Sequence, residues 1–130
     1  MRPCQPDKNR KALLTQNKRF TKIYSIDMCR KPQGEIKVEI VKSTDVEQLK
    51  NLYKEAGWWS EGDDTDPDLI RKIIDGSFCF AVASIKDKII GMGRAISDGV
   101  CDSYIQDVVV LNEFRGRRIG VLIMDELVKY

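Results

Sequence analysis

The segment Asn112-Glu-Phe-Arg-Gly-Arg-Arg-Ile-Gly120 holds the residue types best suited to chemistry in this sequence. Arg115, Arg117 and Arg118 are interspersed with Gly116 and Gly120, immediately ahead of an apolar run. Arginine pairs with phosphate through a planar fork of donors, and glycine lets a ligand approach the backbone closely. No Ser, Thr or Asp stands directly before the run to cap a helix there. The first-turn amides would then be open to an anion, which the helix dipole also favours. These residues describe a cradle for a diphosphate; they would also serve as a basic, solvated turn whose glycines ease packing. A Walker A loop is excluded, because Gly-Lys-Ser/Thr does not follow the glycines. So is the three-glycine dinucleotide fingerprint.

A second group is Trp58 and Trp59 followed by Glu61, Asp63, Asp64, Asp66 and Asp68. Ring faces and carboxylates together suit a cationic amine. Asp66 and Asp68 equally suit a helix start, and one tryptophan could simply cap a core. The spacing lacks the ordered ligands and terminal glutamate of an EF-hand. Asp107, in an apolar stretch, is the candidate catalytic residue: a carboxylate can take a proton through a water, which requires a raised pKa. A structural hydrogen bond is its other reading. The four cysteines, Cys4, Cys29, Cys79 and Cys101, form no Cys-x-x-Cys pair, and there is no histidine. Neither a metal site nor a histidine-activated thiol nucleophile is expected. Cys79 lies in an apolar run that predicts a reduced, buried thiol.

The elements that must position these groups follow from periodicity. Glu35 to Lys42 alternates as a strand. Thr44-Asp-Val-Glu47 reads as a capping box for a helix with Val46, Leu49, Leu52, Tyr53 and Ala56 on one face, stopped by Gly57. Asp66 and Pro67 would open a second helix carrying Leu69, Ile70, Ile73 and Ile74, with Gly76 as its C-cap. Strands follow at Phe78–Ala83, Ile89–Ile96 and Cys101–Leu111, with turns at Lys86-Asp-Lys88 and Ser97-Asp-Gly99. A last helix over Ile119–Val128 is apolar around much of its surface. Phe20 to Met28 adds a short extended segment. The order predicts a mixed, largely antiparallel sheet flanked by helices, of the α/β (α+β) class.

Charge divides the chain. Residues 1–35 carry nine Lys/Arg against three Asp/Glu, whereas 36–130 carry thirteen against seventeen. A basic leader therefore precedes a mildly acidic domain. The leader lacks aromatic interleaving or a base-reading pattern, so a nucleic-acid partner is not expected. No stretch approaches the ~20 apolar residues of a membrane span, and no secretory signal opens the chain. A cytoplasmic protein with no membrane partner is expected.

The stretch from Ile36 onward resembles the GNAT superfamily of N-acetyltransferases, most specifically over residues 88–128. That family's pyrophosphate loop has the pattern Gln/Arg-x-x-Gly-x-Gly/Ala, which falls on Arg115 to Gly120. Arg115 and Gly120 match, and Arg118 stands where the first glycine is usual. Ile89-Ile-Gly-Met-Gly-Arg-Ala95, the Ser97-Asp-Gly99 turn and Ile105-Gln-Asp-Val-Val-Val110 occur in the family's order. The resemblance implies acetyl-CoA as co-substrate, bound by Arg115, Gly116, Arg117, Arg118 and Gly120. It implies backbone contacts from Val108 and Val110 to the pantetheine arm or thioester, without a metal. It also places Trp58, Trp59, Glu61 and Asp63 beside an acceptor site for a small cationic primary amine. Residues 36–130 would be a partial GNAT domain, incomplete at the C-terminus, needing further chain, a complementary chain or self-association. The alternative is a truncated, non-catalytic acyl-CoA-binding or protein-interaction module.

Overall fold

The computed structural model describes residues 34–130 in full and the backbone of residues 21–24. Among the described residues, five strands form one sheet in the order β1-β2-β3-β4-β5, every neighbouring pair antiparallel. They are β1 (Thr21–Tyr24), β2 (Ile36–Ile40), β3 (Cys79–Ile85), β4 (Lys88–Ser97) and β5 (Ser103–Val110). The helices are α1 (Val46–Glu55), α2 (Leu69–Asp75) and α3 (Ile119–Lys129). The order of elements is the expected one. β1 falls inside the segment read as leader and pairs with β2; most of that leader lies outside the described residues.

The sheet is covered on both faces, and β3 shows why. Cys79, Ala81 and Ala83 point into a cluster with Ile119, Ile123 and Leu127 of α3. Phe80 and Val82 point the other way, against Leu49, Leu52 and Tyr53 of α1 and Ile70 and Ile74 of α2. The two faces alternate along the strand, with small residues under α3 and large ones under α1. Two glycines of β4 bring α3 closer still. A Cβ at Gly93 would stand 2.8 Å from Ile123 Cγ2, and one at Gly91 would stand 3.0 Å from Ile123 Cδ1. α3 buries only one stripe: Ile119, Ile123 and Leu127 are covered, whereas Val121, Met124 and Val128 are exposed.

Helix starts differ from the sequence expectation. Asp45, not Thr44, caps α1, its Oδ1 accepting from the amides of Glu47 and Gln48 at 3.0 and 3.2 Å. An aspartate one residue nearer the helix reaches the first free amides directly, which displaces the Thr44–Glu47 box. α2 begins at Leu69, after Pro67, with Asp68 in the N-cap position. Asp66 instead accepts from the Asp68 amide and from Lys72 Nζ, at 3.0 and 2.6 Å. A short 3-10 turn over Glu61–Thr65 was not anticipated; Ser60 and Asp63 close it, the Ser60 amide and hydroxyl both donating to Asp63 Oδ2 at 2.7 Å. Gly57, at φ 76°, ends the α1 region as expected, a conformation glycine adopts without steric cost.

Candidate functional site

The basic loop is held at both ends by buried apolar side chains and is open between them. β5 leads into a 3-10 turn over Asn112–Phe114, whose Phe114 is buried with Ile119 in the α3-side cluster. Arg115 Nε donates to Val110 O at 3.0 Å, folding the loop back against the end of β5. The Arg117 guanidinium carbon lies 5.5 Å from the Phe114 ring centre. Among the described residues no side chain caps α3. Leu122 N donates to Arg118 O at 3.2 Å, and the amides before it have no intrahelical acceptor. A Cβ added at Gly116 or Gly120 would meet nothing within 4 Å. An uncapped helix start, a basic rim and an open backbone suit an anion of diphosphate size.

The position where the resembled family usually has glycine now has a physical account. Arg118 sits in the left-handed region at φ 61°, ψ 16°. Glycine enters that region without cost, whereas an L-residue pays roughly 1–2 kcal/mol. Gly116, at φ 75°, makes the neighbouring reversal.

Asp107 marks a β-bulge. β5 pairs Val109 with Met92 and Gln106 with Arg94, so Asp107 and Val108 together oppose Gly93. Asp107 itself has φ 54°, the left-handed conformation of the first residue in a G1-type bulge. The bulge changes the phase of the strand. Ile105, Val108 and Val110 all pack toward α3, whereas Val109 packs toward α1. The Asp107 carboxylate is tied down: Oδ2 accepts from Arg94 Nε at 2.6 Å and from the Tyr53 hydroxyl at 3.1 Å. Burial, and then the Asp107 charge, push the Tyr53 hydroxyl far above its ordinary pKa, so it remains a neutral donor.

The Trp58–Asp68 segment lies against α1. The Trp58 ring is half exposed and meets Tyr53 edge-on, with centroids 6.3 Å apart. Trp59 Nε1 donates to Asp64, which also pairs with Lys50, and the Lys50 ammonium stands 5.1 Å from the Trp59 ring centre. The Lys50 contact, then the Trp59 bond, hold the Asp64 pKa below its ordinary value. Asp63 is lowered by its bonds to Ser60, and Asp66 chiefly by Lys72. Three of the acidic residues thus hold the segment's own shape; Glu61, at the head of the 3-10 turn, is exposed.

Of the expected site residues, the structure gathers Val110 and Arg115–Gly120 at one end of β5. It links Trp58 to Asp107 through Tyr53, while Trp59 and Asp63 brace the segment between them. Two residues of this network were not anticipated. Tyr53 reads from periodicity as core, and its hydroxyl is invisible to that pattern. Arg94 is the one charged residue in the apolar stretch Ile89–Ile96, which is the signal that could have found it. Among the described residues no group of three or more His, Cys, Asp or Glu is placed to hold a metal ion, and no helix is long and apolar enough to cross a membrane.

Comparison with known proteins shows the family of the fold. The model of the acetyltransferase (GNAT) family matches residues 44–130. A Staphylococcus aureus protein of unknown function, described as a probable acetyltransferase, is 30% identical, with a TM-score of 0.62 over 73% of this chain and 68% of its own. A GNAT family acetyltransferase from Streptococcus pneumoniae shares the fold at 23% identity and a TM-score of 0.61, over 72% of this chain and 66% of its own. The PaiA N-acetyltransferase of Thermoplasma acidophilum, in complex with coenzyme A, shares it at 19% identity and a TM-score of 0.52, over 71% and 70%. The chain thus spans about two thirds of the length of these structures. No curated protein matches it significantly.

Proposed function

Because the chain belongs to the GNAT acetyltransferase family, we propose that it transfers an acetyl group from acetyl-CoA to the primary amine of a small cationic molecule. The observation that carries this reading is the open, uncapped start of α3, with free space beside Gly116 and Gly120. A diphosphate there would accept from first-turn amides and be flanked by Arg117 and Arg118, while Arg115 braces the loop. The coenzyme A bound to the Thermoplasma protein of the same fold supports this choice of ligand.

The pantetheine arm would then run along β5, whose outer edge has no strand partner among the described residues. Backbone amides around Val108 and Val110 are the donors available to the thioester oxygen, where negative charge grows as an amine attacks. The amine nitrogen bonds to the carbonyl carbon, the carbon–sulfur bond breaks, and its electron pair leaves on the thiolate of CoA. The amine proton passes through water to solvent or to that thiolate. On the acceptor side, the Trp58 face and Glu61 would meet the cation, with Trp59 and Asp63 fixing the segment that carries them.

The test is calorimetric titration of the protein with CoA and acetyl-CoA, followed by release of free CoA thiol in the presence of a panel of cationic and neutral amines. Saturable binding with faster thiol release for cationic primary amines is expected. Binding without release would favour the non-catalytic acyl-CoA-binding module, and absence of binding would refute the placement of the diphosphate.

A further inference from the structure

A G1-type bulge normally starts with glycine, because its first residue is left-handed. Here that residue is Asp107, at φ 54°. Asp and Asn enter this region more readily than other side chains, yet they still need support to stay there. Asp107 has it from two directions. Arg94, on the neighbouring strand β4, donates at 2.6 Å, and Tyr53, from α1, donates at 3.1 Å. Both contacts converge on one oxygen, Oδ2, and the three side chains are largely withdrawn from solvent. Opposite the bulge there is no side chain at all: a Cβ at Gly93 would collide with Ile123 and crowd Val108 Cγ2 at 3.2 Å. Val108, the second residue of the bulge, thereby packs over Gly93 and against the cluster of α3, the helix whose start carries the basic loop.

We propose that Tyr53, Arg94 and Asp107 form a lock that sets the phase of β5 at residues 108–110, making all three positioning residues for acetyl transfer. The proposal rests on the acetyltransferase reading above. Without the bulge, Ile105, Val108 and Val110 could not share the α3 face, since residues three apart in a regular strand point to opposite sides. The lock therefore decides which amides of this segment face the outer edge of β5. Asp107 acts through the backbone, in place of the proton acceptor expected from the sequence. The neutral Tyr53 hydroxyl suits this part, since it keeps donating across the working pH range.

The two roles of Asp107 are separable. Asp107→Asn keeps an oxygen that can accept both bonds and keeps tolerance of positive φ, but it removes the basic group. Tyr53→Phe and Arg94→Met do the reverse: they leave the carboxylate and release it. Four readouts apply to the full chain: thermal melting as a folding control, calorimetric affinity for CoA, amide NMR shifts of residues 108–110 on adding acetyl-CoA, and kcat against pH.

Tyr53→Phe and Arg94→Met should lower kcat by about ten- to a hundredfold, as small misplacements near a reacting group do. They should blunt the acetyl-CoA response at 108–110 and leave CoA affinity within about twofold, since the diphosphate is held by a different element. Arg94→Lys should recover part of the loss. Asp107→Asn should stay within about tenfold of the parent kcat, with the acid limb of its pH profile in place. The lock is overturned if Tyr53→Phe and Arg94→Met fold, bind and turn over like the parent. It is also overturned if Asp107→Asn loses about 10²–10⁴-fold together with the acid limb, the signature of a general base. A parent protein that binds neither CoA nor acetyl-CoA would refute the acetyltransferase reading itself, a result distinct from both.

Discussion

Replacing Gly120 by valine separates binding from stability at the start of α3. Gly120 lies in the first turn, and a Cβ there meets nothing within 4 Å. Its φ is not among the positive values, so the new Cβ is neither crowded nor strained. Valine is also a slightly better helix former than glycine, by roughly 0.3–0.5 kcal/mol. The melting temperature should therefore change by no more than about 2 °C. Binding should behave differently. A diphosphate oxygen accepting from a first-turn amide stands about 2.9 Å from that nitrogen. A valine side chain on the same surface would push it away and cost one charge-assisted hydrogen bond, about 1.5–3 kcal/mol. CoA affinity should fall by about 10- to 150-fold. Calorimetric titration beside a thermal melt reads both quantities on one sample. Unchanged affinity with unchanged melting would show that the diphosphate does not use this face of the helix. Gly116→Ala is the contrast: the space is equally open, but φ is 75°, so stability should drop by roughly 1 kcal/mol.

Other outcomes follow from the same geometry. Gly93→Ala places a methyl 2.8 Å from Ile123 Cγ2 and 3.1 Å from Leu127 Cδ1; chemical denaturation should show a loss of about 1–3 kcal/mol, and a neutral result would mean that α3 can slide away. Arg118→Gly relieves the left-handed strain, less the entropy glycine loses on folding, and should raise stability by up to about 1 kcal/mol while weakening CoA modestly; a lower melting temperature would refute the strain argument. Asp45, Asp63, Asp64, Asp66 and Asp98 all have folded pKa values below the ordinary 3.8. Their contribution is thus complete above 3.8 and is lost as pH falls through the lower folded values, so melts between pH 5 and pH 2 should decline only in the lower part of that range. Glu61→Gln should raise KM for cationic amines without changing the melt, whereas Asp63→Asn should loosen the segment; equal kinetics for cationic and neutral amines in both would remove the acceptor side from Trp58–Asp66.

Much of this fold was legible because the periodicities are strong and local. Leu49, Leu52 and Tyr53 face one way at helical spacing, and all three are buried on the α1 side of the sheet. Cys79 lies buried, its thiol pushed up by desolvation, as its apolar neighbours predicted. Helix starts were read less well. Thr44, Asp45, Asp66 and Asp68 are all competent caps, and the choice among them depends on where the chain enters the helix, which residue type does not record. The acidic segment also does structural work that composition alone does not announce. Five carboxylates beside two tryptophans look like a surface for a cation, yet Asp63, Asp64 and Asp66 are engaged by Ser60, by Lys50 and Trp59, and by Lys72.

The centre of the candidate site was the least legible part, and its concealment has a physical cause. Ile105-Gln-Asp-Val-Val-Val110 reads as one strand, because three consecutive valines satisfy either face of a sheet covered on both sides. The phase change at Asp107 therefore leaves no mark in the hydrophobic pattern. What fixes the bulge is supplied from elsewhere: Arg94 is 13 residues away and Tyr53 is 54. Each looks ordinary alone, one a charge in an apolar strand and the other an aromatic on a buried helix face. Only the folded sheet brings them onto a single carboxylate oxygen. The loop at Arg115–Gly120 was readable because its chemistry is contiguous in sequence. The strand phase that would present a thioester to an amine depends on Asp107 and on two side chains far from it in sequence, so it became visible only in three dimensions.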